Sequence, residues 1–337
     1  VTGHPTGRAC GGSRRGHAGA GGRRALRRGA AAVLVTLTAL LAACSPDEGP
    51  DRDRTAATPG ATPPATTVET ADKLLRRYLA AMRDPSSETL AKLEGGAARA
   101  VHDAELRFTE SSVPRLAAEF AIPRLTGYPK WFAAGAVRPG MTGEVALFVK
   151  SRKGAAWRVH HLAYLTHPMP ELARDAEGYV TAAEPGDLAE RQAKTFAREL
   201  GTSAAAEADE EEAATAGGGD PETALRATLR RHARLFTGYA WTVRHQAASQ
   251  GRSYALRTAD GGSVVWYVLA YSFTATNSGG RFEITLADEA ARLLKGSTVR
   301  RALSWEARYQ SVAHAQADGT ARVLGIALPG WTAIRGD

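Results

Sequence analysis

The 337-residue chain has only two cysteines, Cys10 and Cys44, both near its beginning. Nothing beyond residue 44 can form a disulfide, attack as a thiol or offer a thiolate to a metal. Histidine is sparse at nine residues, and no two are spaced as HxH or HxxxH, the pairs that one strand or helix face presents to zinc. There is no GxSxG elbow for a serine nucleophile and no glycine loop placed to cradle a phosphate. Gly217-Gly218-Gly219 follows an acidic run with no strand before it, so it reads as linker. The acids are unevenly placed too. No Asp or Glu precedes Cys44, whereas seven arginines do: Arg8, Arg14, Arg15, Arg23, Arg24, Arg27 and Arg28. The whole chain is +8 (43 Lys+Arg, 35 Asp+Glu), but after residue 43 it carries 36 Lys+Arg against 35 Asp+Glu, a net +1. The high pI therefore belongs to the leading segment, and it gives no reason to expect a nucleic-acid partner.

What the leading segment does have is order. Its basic stretch runs into an apolar one, AAAVLVTLTALLAA over residues 30–43, shorter than the ~20 residues a permanent spanning helix needs. Basic then apolar then small residues is the layout of an export signal, and basic residues hold the cytoplasmic side. Leu41-Ala42-Ala43-Cys44 resembles the lipobox of bacterial lipoprotein precursors. That resemblance implies cleavage before Cys44, a diacylglycerol on its sulfur, and a life on the extracytoplasmic face of the cell membrane. An ordinary membrane anchor or a chance cysteine behind a secretory signal is the plainer alternative. Arg23-Arg24-Ala25-Leu26 resembles a twin-arginine export signal, so either export route stays open. Arginine far outnumbers lysine and alanine and glycine abound, as in a GC-rich genome, where Val1 fits a GTG start.

Residues 44–65 are charged, then rich in Thr, Ala and Pro, with almost nothing to bury. Such a stretch is expected to be a disordered tether. Two modules are expected to follow, 66–183 and 184–337. In the first, Ala71, Leu74, Leu75, Tyr78, Leu79 and Met82 make one helical stripe, with Thr66 and Glu69 as capping box and Asp84-Pro85 as stop. Helices are predicted over 87–94 and 97–107, then strands over 128–137, 145–152 and 156–165. In the second, helices are predicted over 187–200, stopped by Gly201, and from Asp220-Pro221-Glu222 to Phe236. Strands follow over 239–247, 263–276, 303–310 and 322–328. Residues 201–219, with five acids in the six positions 207–212, are expected to form a solvated, mobile loop rather than a calcium site. Helices before antiparallel strands in each half give an α+β class.

That order, with Gly154-Ala155-Ala156-Trp157-Arg158-Val159 as turn and strand, resembles the cone-shaped domains of the nuclear-transport-factor-two-like and cystatin-like kind. The resemblance implies helices packed on a curved antiparallel sheet. Lipobox, tether and paired halves together resemble uncharacterised lipoproteins of actinomycetes. Because such folds host enzymes, binders and inert modules alike, no catalytic residue is carried over.

Candidate chemistry is thin. His160, His161 and His167 cluster, yet strand neighbours face opposite ways, so they read as surface or strand-edge residues. His232 reads as a helix-boundary residue, and His245 and His314 have no sequence partner. An enzyme of the cone-shaped kind would bring a histidine and a carboxylate into one cavity; Glu144, His161, Asp288 and Glu306 are the candidates. Asp103/Glu105 and Asp288/Glu289 read as charged faces, and Glu283 as a strand acid next to Arg281. The aromatic residues fall on predicted strands and chiefly fill cores. Trp131, Trp157, Trp266 and Trp305 are those that would line a ligand cavity. The expectation is a non-enzymatic, lipid-anchored module binding an envelope protein or a small apolar ligand, with no cofactor beyond the lipid. The rival expectation is a hydrolase or isomerase working in a cavity.

Overall fold

Thr67 opens the first helix, α1 (Val68–Met82): its backbone is extended and its hydroxyl accepts from the Thr70 N–H. The cap is thus one residue later than the Thr66/Glu69 box expected from sequence, because the hydroxyl that reaches the third helical residue wins. The stripe behaves as read, with Ala71, Leu75, Tyr78 and Met82 buried. The computed structural model describes residues 62–83, 88–105, 115–203, 223, 241–277, 283–285, 294, 296, 298–327 and 331–336. Cys44, its leader, the acidic run, Asp288, His232, the expected tether up to residue 61 and, Thr223 apart, the helix expected over 220–236 lie outside them. Residues 62–65 are not tether but part of the fold: Ala65 N–H donates to the Pro123 carbonyl and Leu125 N–H to the Pro63 carbonyl, pairing this stretch with the one before β2.

Two further helices follow, α2 (Glu88–Leu93) and α3 (Gly96–Glu105). The first strands are β1 (Phe120–Ala121), β2 (Lys130–Gly135), β3 (Gly143–Lys150), β4 (Arg158–Leu165) and β5 (Ala182–Ala183). Helix α4 (Leu188–Ser203) runs through Gly201 instead of stopping before it; one glycine costs a helix ~1 kcal/mol relative to alanine, too little to end it. The remaining strands are β6 (Trp241–Ser249), β7 (Tyr254–Arg257), β8 (Ser263–Asn277), β9 (Ile284–Thr285), β10 (Thr298–Val299), β11 (Ala302–Ala315), β12 (Ala321–Ala327) and β13 (Trp331–Gly336). Among the described residues, no helix is long and apolar enough to cross a membrane.

Helix and antiparallel sheet together make this an α+β structure. Eleven of the described strands join one sheet, ordered β1-β2-β3-β4-β12-β11-β8-β7-β5, with β6 also on β8 and β13 also on β11. Strands of both expected modules therefore belong to the same sheet, and all described residues belong to one compact unit, Thr58–Asp337. On one side of β2–β4, Phe132, Phe148 and Val159 pack with Leu75, Tyr78 and Leu90 of α1 and α2. On the other side, Trp131, Leu147 and Val149 pack with Tyr254, Val264 and Trp266 from β7 and β8. A third cluster sets Leu188, Ala193 and Phe196 of α4 against Tyr271, Phe273, Trp305 and Tyr309.

The first and second halves of the sheet meet at a narrow seam. Strands β12 and β4 pair at only two positions, Gly325↔Leu165 and Ile326↔Tyr164. Leu324 is the extra residue of a bulge against β11, and its freed carbonyl accepts from the N–H groups of Thr166 and His167, both at 3.0 Å. Beside it, the buried Gln310 of β11 accepts from the Leu162 N–H at 2.9 Å, so a side chain stands in for the missing strand. Gln310→Ala leaves that N–H unpaired, and a loss of ~1–2 kcal/mol is expected in denaturant unfolding. A change below ~0.3 kcal/mol would show that water replaces the amide there.

Candidate functional site: a polar groove across three strands

Strand register builds the site. On β6, Trp241, Val243, His245 and Ala247 alternate with Thr242, Arg244, Gln246 and Ala248, and the first set is the more buried. The polar set lines up across the sheet in rows. Arg244, Thr274, Ser304 and Arg335 form one row; Gln246, Ser272 and Glu306 form the next; Ala248, Ala270 and Arg308 form a third. Adjacent strands lie ~4.8 Å apart and same-face neighbours along a strand ~7 Å apart. The alanine pair leaves room where its neighbours carry long side chains. A groove of about 560 Å³ here is bordered from both faces of the strands, by Gln246, Ser272, Glu306 and Arg308 of the polar rows and by Ala247, Ala307 and Ala197 of α4 from the other side. Ser249 Oγ donates to Glu190 Oε1 at 3.0 Å, tying β6 to α4 next to the groove.

His245 and Tyr271 also contribute to the lining. Nδ1 of His245 lies 2.6 Å from the Tyr271 hydroxyl, and the two rings stack at 5.9 Å. Burial pushes His245 down to about 4 and raises Tyr271 above the usual phenol range. At neutral pH this is an uncharged hydrogen-bonded pair. Glu306 projects from β11 between the buried Trp305 and Ala307, whose side chains join the cluster containing Tyr271. The carboxylate and the imidazole therefore belong to opposite faces and form no acid–base dyad.

The other candidates are scattered. His161 is buried, not a surface or strand-edge residue as expected. The reason is a bulge at His160: Leu147 pairs with His161 but Phe148 pairs with Val159, so the strand changes face across one residue. His160 rests against Gly95 and Gly96 on the helical side, while His161 joins Tyr254 in the inner core at 6.1 Å between centroids. Glu144 accepts from the Arg115 N–H, and burial raises its carboxyl in opposition to Arg115. Glu144, His161 and Glu306 do not converge. His167 stands half-buried beside Arg322 at 2.8 Å, and His314 lies 3.3 Å from Asp260. Asp103 pairs with Arg99, and Glu283 with Arg300.

The four tryptophans divide among three cores. Trp131 and Trp266 are brought together, 6.5 Å between centroids, within the inner core. Trp157 sits edge-on to Phe132 at 5.3 Å on the helix-covered side, and Trp305 stacks on Phe273 at 3.8 Å under α4. None of the four lines the groove.

One polar cluster escapes sequence inspection. Tyr78 donates to Glu94 Oε1 at 2.9 Å, and His102 Nδ1 lies 3.7 Å from the same oxygen, all three buried. It joins α1 to α3 through a carboxylate shielded from solvent. Tyr78 was legible only as part of the apolar stripe, and Glu94 only as the end of a helix.

Among the described residues, no group of three His, Cys, Asp or Glu is placed to hold a metal. No curated protein and no solved structure matches this chain. One family model does match, over residues 62–328, and so spans both expected modules and every row of the groove but the end contributed by β13. The chain belongs to the family defined by that model, a domain of unknown function, DUF8094.

Proposed function

We propose that this is a lipid-anchored protein of the extracytoplasmic face of the cell membrane, whose sheet face binds a ligand of the envelope. The observation that carries this reading is Leu41-Ala42-Ala43-Cys44 behind a leader with seven arginines and no acid. Cleavage there leaves Cys44 first, with diacylglycerol on its sulfur. Two acyl chains anchor stably where one does not, and residues 45–61 then tether the folded part to the membrane. The groove supports a binding role, since its polar groups are regularly spaced and its floor is small side chains. It favours a polar ligand over the apolar one the tryptophans suggested. We also take 66–183 and 184–337 as two modules of similar plan, helices before strands, fused through the sheet.

Cys44→Ala tests the anchor. Expressed in a bacterium that processes lipoproteins, the wild type should sediment with membranes and yield a lipid-modified Cys44 peptide by mass spectrometry. The variant should accumulate as unprocessed precursor or leave the membrane. Identical fractionation, with an unmodified sulfur in the wild type, would overturn the reading.

A further inference from the structure

We propose that the face built by β6, β8, β11 and β13 holds a polyhydroxylated anion, a sugar acid or a polyol phosphate, with its oxyanion on Arg308. The proposal rests on the binding role above and names the ligand class.

Charge balance is the first argument. Three arginines stand in the rows, Arg244, Arg308 and Arg335, against one acid, Glu306. Some arginines elsewhere in the fold pair with carboxylates, among them Arg76 with Asp72, Arg99 with Asp103, Arg124 with Asp175 and Arg300 with Glu283, and others among the described residues do not. Arg244, Arg308 and Arg335 have no ion pair among the described residues. Arg244 and Arg335 are exposed, but Arg308 is half-buried beside the alanine pair. A partly desolvated guanidinium gains most from a planar or tetrahedral oxyanion, which its fork meets with two hydrogen bonds. The space over Ala248 and Ala270 admits such a group next to it.

Hydroxyl chemistry is the second. Ser272, Thr274 and Ser304 lie in adjacent rows, flanked by Gln246. Hydroxyls and amides both donate and accept, which suits a molecule that does the same at several positions.

The test is titration calorimetry on the full chain in detergent, with four probes: glucuronate, glycerol 3-phosphate, and glucose and glycerol as their neutral counterparts. At least one anion should bind tenfold or more tightly than its counterpart, and the arm that does so tells sugar acid from polyol phosphate. Binding should weaken as salt rises. Arg308→Gln should cost that anion tenfold or more with an unchanged melting temperature, and Arg308→Lys should fall between. Should Arg308→Gln not fold, Arg244→Gln, at an exposed position, should cost about threefold. Neutral probes binding as tightly as the anions, with Arg308→Gln without effect, would overturn the anion while leaving the groove a binding site. No binding by any of the four would overturn both.

Discussion

Gly325→Ala should lower the melting temperature by about 10 °C or more. A Cβ at Gly325 would stand 2.2 Å from the Tyr164 carbonyl oxygen and 2.7 Å from Leu165 Cα. Both are backbone atoms of β4, so no rotamer change relieves the clash and the strands must part. Backbone pairing across the seam is short, two pairs and the carbonyl of Leu324, so the Gln310 amide and the inner core are left to hold the halves once the strands part. Losing a seam of this kind costs ~3–5 kcal/mol, and each kcal/mol is worth ~2–4 °C in a domain of 150–250 residues. The readout includes fluorescence, because Trp131 and Trp266 lie in the core that the seam closes; their emission should shift to the red before the helices melt. Gly127→Ala is the control, with nothing within 4 Å of its Cβ, and should melt with the wild type. If Gly325→Ala does so as well, the seam is not what joins the halves.

Long periodic elements were legible in the sequence. The stripe from Ala71 to Met82 and the alternations of β8 and β11 need only local spacing; α1 and β8 lie within a residue or two of their predicted places, and β11 starts one residue early but runs five residues past its predicted end. What local spacing cannot carry is an irregularity that depends on a partner strand. The bulge at His160 puts Val159 and His161 on different faces, although a period of two assigns them the same one. Gly325 looks like any strand glycine until β4 stands against it. Short β7 has four residues, too few for a periodicity to show. Strand β13 was missed even though Pro329-Gly330 marks a turn ahead of Trp331. The groove was illegible for the same reason: Arg244, Ser272 and Arg308 become neighbours only through the register of three strands.

Acid should destabilise the fold across the window from pH 6.5 down to about 3, and His161 is the main cause. Burial, with a smaller contribution from the neighbouring His160, pushes His161 from 6.5 to about 3, and its Nδ1 is buried without a hydrogen-bond partner. In the unfolded chain the ring takes a proton near pH 6.5; in the folded protein it stays neutral until about 3. The unfolded state therefore binds more protons throughout that window, and stability falls as pH falls. One pKa unit is worth ~1.4 kcal/mol, so the full window is worth on the order of 5 kcal/mol, a large share of the ~5–15 kcal/mol of a typical domain. His245, pushed to about 4 by burial, works in the same direction over a shorter range. His161→Leu removes both the titration and the unpaired nitrogen while keeping an apolar side chain in the inner core. At pH 7 it should match or slightly exceed the wild type in urea unfolding. At pH 4 it should be the more stable of the two by several kcal/mol. Parallel loss of stability in both proteins from pH 7 to 4 would mean that His161 takes its proton without unfolding anything, and that the core around Tyr254 admits water.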